Sequence, residues 1–161
     1  MHLERKLFVS SVILFLILIG VSAVVEKRSQ VSKTESNKIV TLAIGDSVFD
    51  TEIARDDSSR SLGLGGRDAL DSHSGMIFIF DYSDLWGIWM KDMKISIDVL
   101  WLDEKGRIVS IEENMSPESY PKIFFPTIRS RYVIELSSGT FATSGASIGD
   151  VVDVTGLISE K

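Results

Sequence analysis

The sequence predicts a mainly β protein: a single compact β-barrel-like or sandwich-like domain with one or two short helices, preceded by an N-terminal transmembrane or signal helix. Polar and apolar residues alternate along most of residues 39–158, and a period of two residues is that of a β-strand. Turns that contain glycine separate these short runs, which is typical of strands joined by tight connections. Segments with the helical period are few and short, so the β class follows.

The N-terminal helix is predicted from residues 7–25, an apolar run without a charge. A run of this length can cross a bilayer, so we expect a retained signal anchor with the domain on the extracytoplasmic side. The alternative is a signal peptide cleaved near Ala23, which would leave a secreted or periplasmic domain. The predicted organisation is therefore residues 1–25 as anchor or signal peptide, residues 26–38 as a polar linker and residues 39–161 as the β domain.

The charge and composition of the chain limit which ligands and partners it can bind. The chain has a formal net charge of −6, and an acidic domain repels the phosphate backbone of nucleic acids, so we expect no nucleic-acid partner. The sequence has no cysteine and two histidines. A thiolate site is therefore excluded, and a zinc site would need several carboxylates. We expect no metal and no cofactor.

The first elements of the domain form a predicted hairpin, in which residues 39–44 and 48–53 flank Gly45-Asp46-Ser47. The remaining elements are predicted as a short helix at Ser58–Leu64 ended by Gly65-Gly66, strands at residues 76–80, 95–102, 107–111, 131–136 and 151–158, a helical turn at residues 140–144, and a long connection at residues 112–131.

The stretch from Gly75 to Asn114 is the candidate site region, because charges there are embedded among large apolar residues. Strand alternation places Asp98 on one face with Leu100 and Leu102, and a buried carboxylate needs a donor or a cation. In one interpretation Asp98 is architectural: it pairs with a cation (Lys91, Arg67 or Arg131) or caps the backbone N–H groups of a loop. In the other, it lines a pocket.

A pocket with aromatic walls and a few fixed polar groups is the ordinary form of a small-molecule site. The candidate ligand-binding residues are Arg67, Trp86, Trp89, Lys91, Asp98, Arg131 and Tyr132. No catalytic residue is assigned. We expect a binding module for a small polar ligand or an envelope component, tethered to the membrane by its N-terminal helix. The alternatives are a hydrolase-type or lyase-type enzyme that uses Asp98 and Lys91, and a structural accessory partner of a membrane protein.

Five short blocks of the sequence resemble, in order and spacing, the DUF192 family, also called UPF0127. The blocks are Gly63-Leu64-Gly65-Gly66-Arg67, Gly75-Met76-Ile77-Phe78, Trp89-Met90-Lys91, Ile97-Asp98 and Arg131-Tyr132-Val133-Ile134-Glu135. The resemblance covers residues 39–158. It implies a compact β-barrel-like domain and no particular activity, because the family is functionally uncharacterised. The chain departs from the family pattern at Gly65, where Met is usual, at Asp92, where Asn is usual, and at Ser96, where Pro is usual.

Overall fold

A six-stranded β-sheet forms the centre of the computed structural model, which describes residues 38–158. In chain order the strands are β1 (Ile39–Ile44), β2 (Ser47–Ala54), β3 (Ser74–Asp84), β4 (Ile88–Trp89), β5 (Ile97–Leu102), β6 (Ile108–Met115), β7 (Ile123–Phe124) and β8 (Ser130–Ser137). The helices are α1 (Asp57–Leu62), α2 (Thr140–Thr143) and α3 (Thr155–Ile158), with a 3₁₀ turn at Pro117–Ser119. The predicted class, mainly β with a few short helices, is confirmed.

The large sheet has the strand order β1-β2-β3-β8-β5-β6. Only β2 and β3 run parallel, and every other neighbouring pair in this sheet is antiparallel. The chain crosses from β2 to β3 through α1, which is how a parallel pair must be connected, because a tight turn cannot reverse the chain direction twice.

The expected barrel does not form in residues 38–158, because β1 and β6 are the two ends of the sheet and do not pair with each other. Instead, the segment after α2 forms backbone hydrogen bonds with the start of β6. Its Asp150 carbonyl accepts from the N–H of Ile108 at 2.9 Å, and its Ser144 carbonyl accepts from the N–H of Asp46 at 2.7 Å. The sheet therefore stays open, and this C-terminal segment connects the β1–β2 turn with the start of β6.

Each face of the sheet carries its own apolar cluster, as strand alternation requires. Along β3, Ile77 and Ile79 belong to cluster 1, whereas Met76, Phe78 and Phe80 belong to cluster 2. All six residues of β5 are buried. The central strands are thus covered on both faces, by the C-terminal segment on the side of cluster 1 and by the turn after α1 and the segment around β4 on the side of cluster 2.

The hairpin β1–β2 forms as predicted, with Gly45 and Asp46 in its turn. Gly45 has a φ of 60°, and a Cβ at this position would lie 2.2 Å from the carbonyl oxygen of Ser144. Only glycine fits both the left-handed backbone and this close approach. The turn of the hairpin is therefore held against the C-terminal segment.

Helix α1 is shorter than predicted. Asp56 is its N-cap, and its Oδ1 accepts from the N–H groups of Ser58 and Ser59 at 2.9 Å each. The helix ends at Gly63, which adopts a φ of 52°, rather than at the next glycine pair. This early end turns Leu64 into cluster 2, where it is fully buried.

The predicted last strand, residues 151–158, is wrong. Val151 makes one isolated bridge to Arg107, and the chain then enters α3. The reason is local: Oδ1 of Asp153 accepts from the backbone N–H of Thr155 at 2.9 Å, which starts a helical turn. The alternating pattern that suggested a strand is explained by Val152 and Val154, which are buried in cluster 1.

A two-stranded ribbon, β4 with β7, was not predicted. It pairs Ile88 with Phe124 and Trp89 with Ile123, inside segments that the sequence suggested were connections. Ile88 and Phe124 face cluster 2, whereas Trp89 and Ile123 are exposed. The ribbon therefore places Trp89 at the surface beside cluster 2.

The predicted anchor at residues 1–25 and nearly all of the predicted linker lie outside the described residues. Among the helices of residues 38–158, none has the length and apolar character of a membrane span.

Candidate functional site

A cavity of 290 Å³ opens on the cluster 2 face of the sheet. Its lining comes from α1 with the turn that follows, from β3, from the segment around β4, and from β8. Because these elements are distant in sequence, the cavity is a product of the fold. The lining residues are Asp57, Arg60, Ser61, Leu62, Gly63, Leu64, Phe78, Phe80, Trp86, Gly87, Ile88, Trp89, Lys91, Met93 and Glu135.

Glu135 is the buried carboxyl group of this cavity. It belongs to β8, where Ile134 and Leu136 point to the opposite face into cluster 1. Its side chain is 5% exposed, and its Oε2 has no hydrogen-bond partner. At Gly63, just after α1, a Cβ would lie 3.5 Å from that oxygen. The absence of a side chain at Gly63 thus leaves room beside the carboxyl group.

Burial raises the pKa of Glu135 from its ordinary value of 4.5 to about 8. The backbone N–H of Leu64 and the guanidinium of Arg67 both lower the pKa, but burial outweighs them. At neutral pH the carboxyl group is therefore mainly protonated. It presents a neutral O–H donor to the cavity instead of a negative charge.

One wall of the cavity is an aromatic stack. The rings of Phe80 and Trp86 are parallel within 8°, with their centroids 4.1 Å apart. The indole Nε1 of Trp86 donates to the carbonyl of Tyr82 at 3.2 Å, and the carbonyl of Trp86 accepts from Nε1 of Trp101 at 2.8 Å. These hydrogen bonds and the stacking hold the Trp86 ring in place, so this wall is preformed.

Trp89 and Lys91 also line the cavity. Trp89 is 45% exposed and meets Tyr120 edge-on, with ring centroids 6.3 Å apart. Nζ of Lys91 lies 5.9 Å from the centroid of the Trp89 ring, a cation–π contact. Among the described residues Lys91 makes no ion pair, so its positive charge is available to a ligand.

The other cation of the lining, Arg60, is already occupied. Its Nη2 lies 2.5 Å from Oδ1 of Asp57, and its Nη1 donates to the carbonyls of Arg55 and Ile79. Its guanidinium also lies 5.2 Å from the centre of the Phe80 ring. Arg60 therefore extends the aromatic stack and contributes little uncompensated charge.

Arg67 is not part of the lining of the cavity. It forms two hydrogen bonds to the carboxylate of Glu52, at 2.5 and 2.8 Å. The hydrogen bond to Glu52 is the main cause of the raised pKa of Arg67. This residue acts on the site only through its charge, which lowers the pKa of Glu135.

Asp98 lies on the other face of the sheet, with cluster 1. It is fully buried, and its carboxylate accepts from the backbone N–H of Asn114 at 2.9 Å and of Phe141 at 3.0 Å. Asn114 has a φ of 54°, and Phe141 is in the first turn of α2. The contacts are those of the architectural interpretation, in which Asp98 caps backbone N–H groups, here one near the end of β6 and one in the first turn of α2.

The last two predicted residues, Arg131 and Tyr132, also lie outside the lining. Tyr132 is buried in cluster 1, and burial raises the pKa of its phenol. Of the seven predicted residues, the cavity brings together Trp86, Trp89 and Lys91.

Glu135 is not among the residues predicted from the sequence. A sequence signal for it exists, because Glu135 is an ionisable residue within the apolar run 133–136, just as Asp98 is within residues 95–102.

No group of three or more His, Cys, Asp or Glu side chains in the described part of the chain is arranged to hold a metal ion. The arrangement that remains is a small cavity whose lining combines aromatic rings, the neutral carboxylic acid of Glu135 and the ammonium group of Lys91, which makes no ion pair among the described residues. These features define a mainly β domain with a small-molecule-sized pocket.

The family model of DUF192, described as "Uncharacterized ACR", matches residues 40–154, and the chain belongs to this family. No curated protein matches the chain significantly. A solved structure from Sinorhizobium meliloti, provisionally described as a transcription regulator, superposes with a TM-score of 0.70 at 30% identity, covering 75% of this chain and 97% of that one. A protein of unknown function from Novosphingobium aromaticivorans superposes with a TM-score of 0.69 at 26% identity, covering 73% and 86%.

Proposed function

We propose that this domain is a binding module for a small molecule, which occupies the cavity beside Glu135. The observation that carries the proposal is the unpartnered Oε2 of Glu135, buried in the lining of an accessible cavity. Nearly all buried polar atoms in folded proteins have a hydrogen-bond partner, and leaving one without a partner costs about 1–3 kcal/mol. A ligand in the cavity supplies the missing partner.

The dimensions of the cavity support a small ligand. Its 290 Å³ is close to the lower end of the range for ligand pockets, which is about 300–1,000 Å³. The stacked pair Phe80 and Trp86 offers a flat apolar surface that is already held in its bound geometry, so little side-chain entropy is lost on binding.

Two serines of α1 allow a matched test. Ser61 and Ser58 are both exposed, but only Ser61 lines the cavity. A fragment library is screened against the wild-type protein by thermal shift and by ligand-observed NMR. Fragments that bind the wild type should bind Ser58→Trp equally well and lose about tenfold or more in affinity for Ser61→Trp, whose indole fills the opening. A library without a single binder, or binders that are indifferent to Ser61→Trp, would contradict the proposal.

Acid–base catalysis is a second candidate, favoured by the pKa of about 8 at Glu135. A general acid or base works best when its pKa is near the operating pH. The Asp98–Lys91 pair of the sequence hypothesis is not assembled, since Asp98 lies on the far face; Glu135 with Lys91 replaces it. The test is NMR detection of new products from cavity-binding fragments incubated with wild type and with Glu135→Gln. Turnover by the wild type alone supports catalysis, and turnover by neither leaves binding as the function.

We further propose that residues 7–25 tether the domain to a membrane, on the extracytoplasmic side. The support is the length of the uncharged apolar run. Full-length protein should sediment with membranes and resist extraction by alkaline carbonate. N-terminal sequencing that found a start immediately after Ala23 would show cleavage and contradict the tether.

A further inference from the structure

We infer that the cavity binds small organic carboxylates: molecules with an apolar body and one carboxylate group. The inference rests on the proposed binding function and adds the chemical class of the ligand. It follows from the charge of the lining, from the hydrogen-bonding capacity of Glu135 and from the apolar wall, in that order.

The charges of the lining leave one uncompensated cation. Four lining residues are ionisable: Asp57, Arg60, Lys91 and Glu135. Arg60 and Asp57 neutralise each other through their 2.5 Å ion pair. Glu135 is buried and neutral at pH 7. Lys91 therefore gives the cavity a net positive charge, within a chain whose net charge is −6. Such a local field attracts an anion.

The neutral carboxyl group of Glu135 favours a ligand that accepts a hydrogen bond. The protonated carboxyl group has an O–H that can donate, and its Oε2 has no partner within the protein. A carboxylate oxygen is a strong acceptor for this O–H, because hydrogen bonds to an ionised partner are shorter and roughly twice as strong as neutral ones. A ligand that only donates hydrogen bonds would leave the proton of Glu135 without an acceptor.

The remaining lining argues for one carboxylate on an apolar body. Phe78, Phe80 and Trp86 supply aromatic surface. With one free cation, the cavity can neutralise a single negative charge. A doubly charged phosphate would leave a buried charge without compensation, which is costly in an apolar environment.

The competing ligand class is an amine. An ammonium group could pair with Glu135 only after that carboxyl group had lost its proton, and Lys91 would repel it. The two classes therefore respond to pH in opposite directions. A carboxylate should bind best below the pKa of Glu135, and an amine best above it.

Three probes of nearly equal shape distinguish these classes: phenylacetate, phenylacetamide and phenethylamine. Binding to the full-length protein is followed by tryptophan fluorescence, because Trp86 and Trp89 both line the cavity. At about pH 6.5 phenylacetate should bind about tenfold or more tightly than the amide, and the amine should bind most weakly. At about pH 9 phenylacetate should weaken about tenfold, because Glu135 is then ionised.

Two pairs of variants and the single variant Glu135→Gln show which residues determine probe binding. Lys91→Gln should reduce phenylacetate binding about tenfold and leave phenylacetamide unchanged, while Lys94→Gln, an exposed lysine outside the lining, should change neither. Glu135→Gln keeps a hydrogen-bond donor at every pH, so phenylacetate binding should persist without the loss at pH 9. Ser61→Trp should abolish binding of all three probes, unlike Ser58→Trp.

The possible outcomes distinguish a failure of the carboxylate inference from a failure of the proposed binding site. If phenylacetamide or phenethylamine binds as tightly as phenylacetate at pH 6.5, the carboxylate inference fails while the cavity remains a binding site. If no probe binds, or if binding survives Ser61→Trp, the proposed function fails together with the inference. Tighter phenylacetate binding that depends on Lys91 and declines at pH 9 supports both.

Discussion

At the scale of single residues, the two carboxyl groups that are buried within residues 38–158 differ in their partners. Asp98 accepts two backbone N–H groups, at 2.9 and 3.0 Å. Glu135 has one oxygen without a partner, and burial raises its pKa to about 8. Burial favours the neutral form of Glu135. Both carboxyl oxygens of Asp98 have a backbone partner, so Asp98 belongs to the architecture.

The pH dependence of stability tests the state of Glu135. The folded protein holds this proton more tightly than the unfolded chain does, because the pKa is about 8 when folded against 4.5 ordinarily. The contribution to stability is therefore full below about pH 4.5 and is lost as pH rises to about 8, a total of up to about 5 kcal/mol. The Glu135→Gln side chain cannot ionise, so the variant does not lose this contribution. The free energy of unfolding of the variant should therefore rise steadily relative to that of the wild type between about pH 4.5 and 8.

Urea melts of wild type and Glu135→Gln at several pH values between 5 and 9 measure this difference. Glu113→Gln, the same chemical change at an exposed position of β6, is the control. A constant difference between wild type and Glu135→Gln at all pH values would mean that Glu135 is not buried as a neutral acid.

The architectural role of Asp98 predicts a loss of stability when one of its two acceptor oxygens is replaced by an NH₂ group. Asp98→Asn keeps the shape but turns an NH₂ group toward a backbone N–H, which leaves that buried donor unpaired. The expected loss is about 2–4 kcal/mol at neutral pH. Asp50→Asn, at an exposed position of β2, should change stability by less than about 0.5 kcal/mol. A loss below about 1 kcal/mol for Asp98→Asn in denaturant melts would rule out the capping role.

At the scale of elements, the burial of β3 on both faces explains how the cavity keeps its shape. β3 pairs with β2 on one side and β8 on the other, and it contributes side chains to both clusters. Phe78 packs in cluster 2 and lines the cavity as well. The cavity wall is therefore continuous with the core, and a rigid core makes a rigid wall.

Truncation of Phe78 should be among the more damaging single changes to this domain. Phe78→Ala removes a fully buried ring and should cost about 3–5 kcal/mol. Val48→Ala, at an exposed position of β2, should cost less than about 0.5 kcal/mol. Guanidinium melts of both variants give the comparison, and similar midpoints would show that β3 is not central to the fold.

Two properties decide whether an element could be predicted from the sequence. They are the length of the element and the distance along the chain between paired strands. The long alternating runs predicted the hairpin and the central strands, because several residues share the same period. The ribbon β4–β7 has two residues in each strand, too few for a period, and its strands are far apart in sequence. The last strand was predicted from alternation at Val152 and Val154, but Asp153 starts a helical turn there.

At the scale of the whole molecule, the site arises where α1, the ribbon and β8 meet over cluster 2. Trp86, Trp89 and Lys91 could be chosen from the sequence, because they are aromatic and charged residues within one apolar region. Asp98 and Glu135 give the same sequence signal, a single charge in an apolar strand. Only the packing of the two faces separates them, since one face is filled by the C-terminal segment and the other contains the cavity.

The most direct test of the central claim, that the cavity beside Glu135 is a ligand site, is a map of backbone amide chemical shifts during a titration with phenylacetate. The largest changes should occur at Gly63, Leu64, Gly87 and Lys91, which border the cavity. The signals of Asn114 and Phe141, whose N–H groups donate to Asp98 on the opposite face, should not move. Saturable changes centred on Asn114 and Phe141, or no saturable change at the cavity, would contradict it.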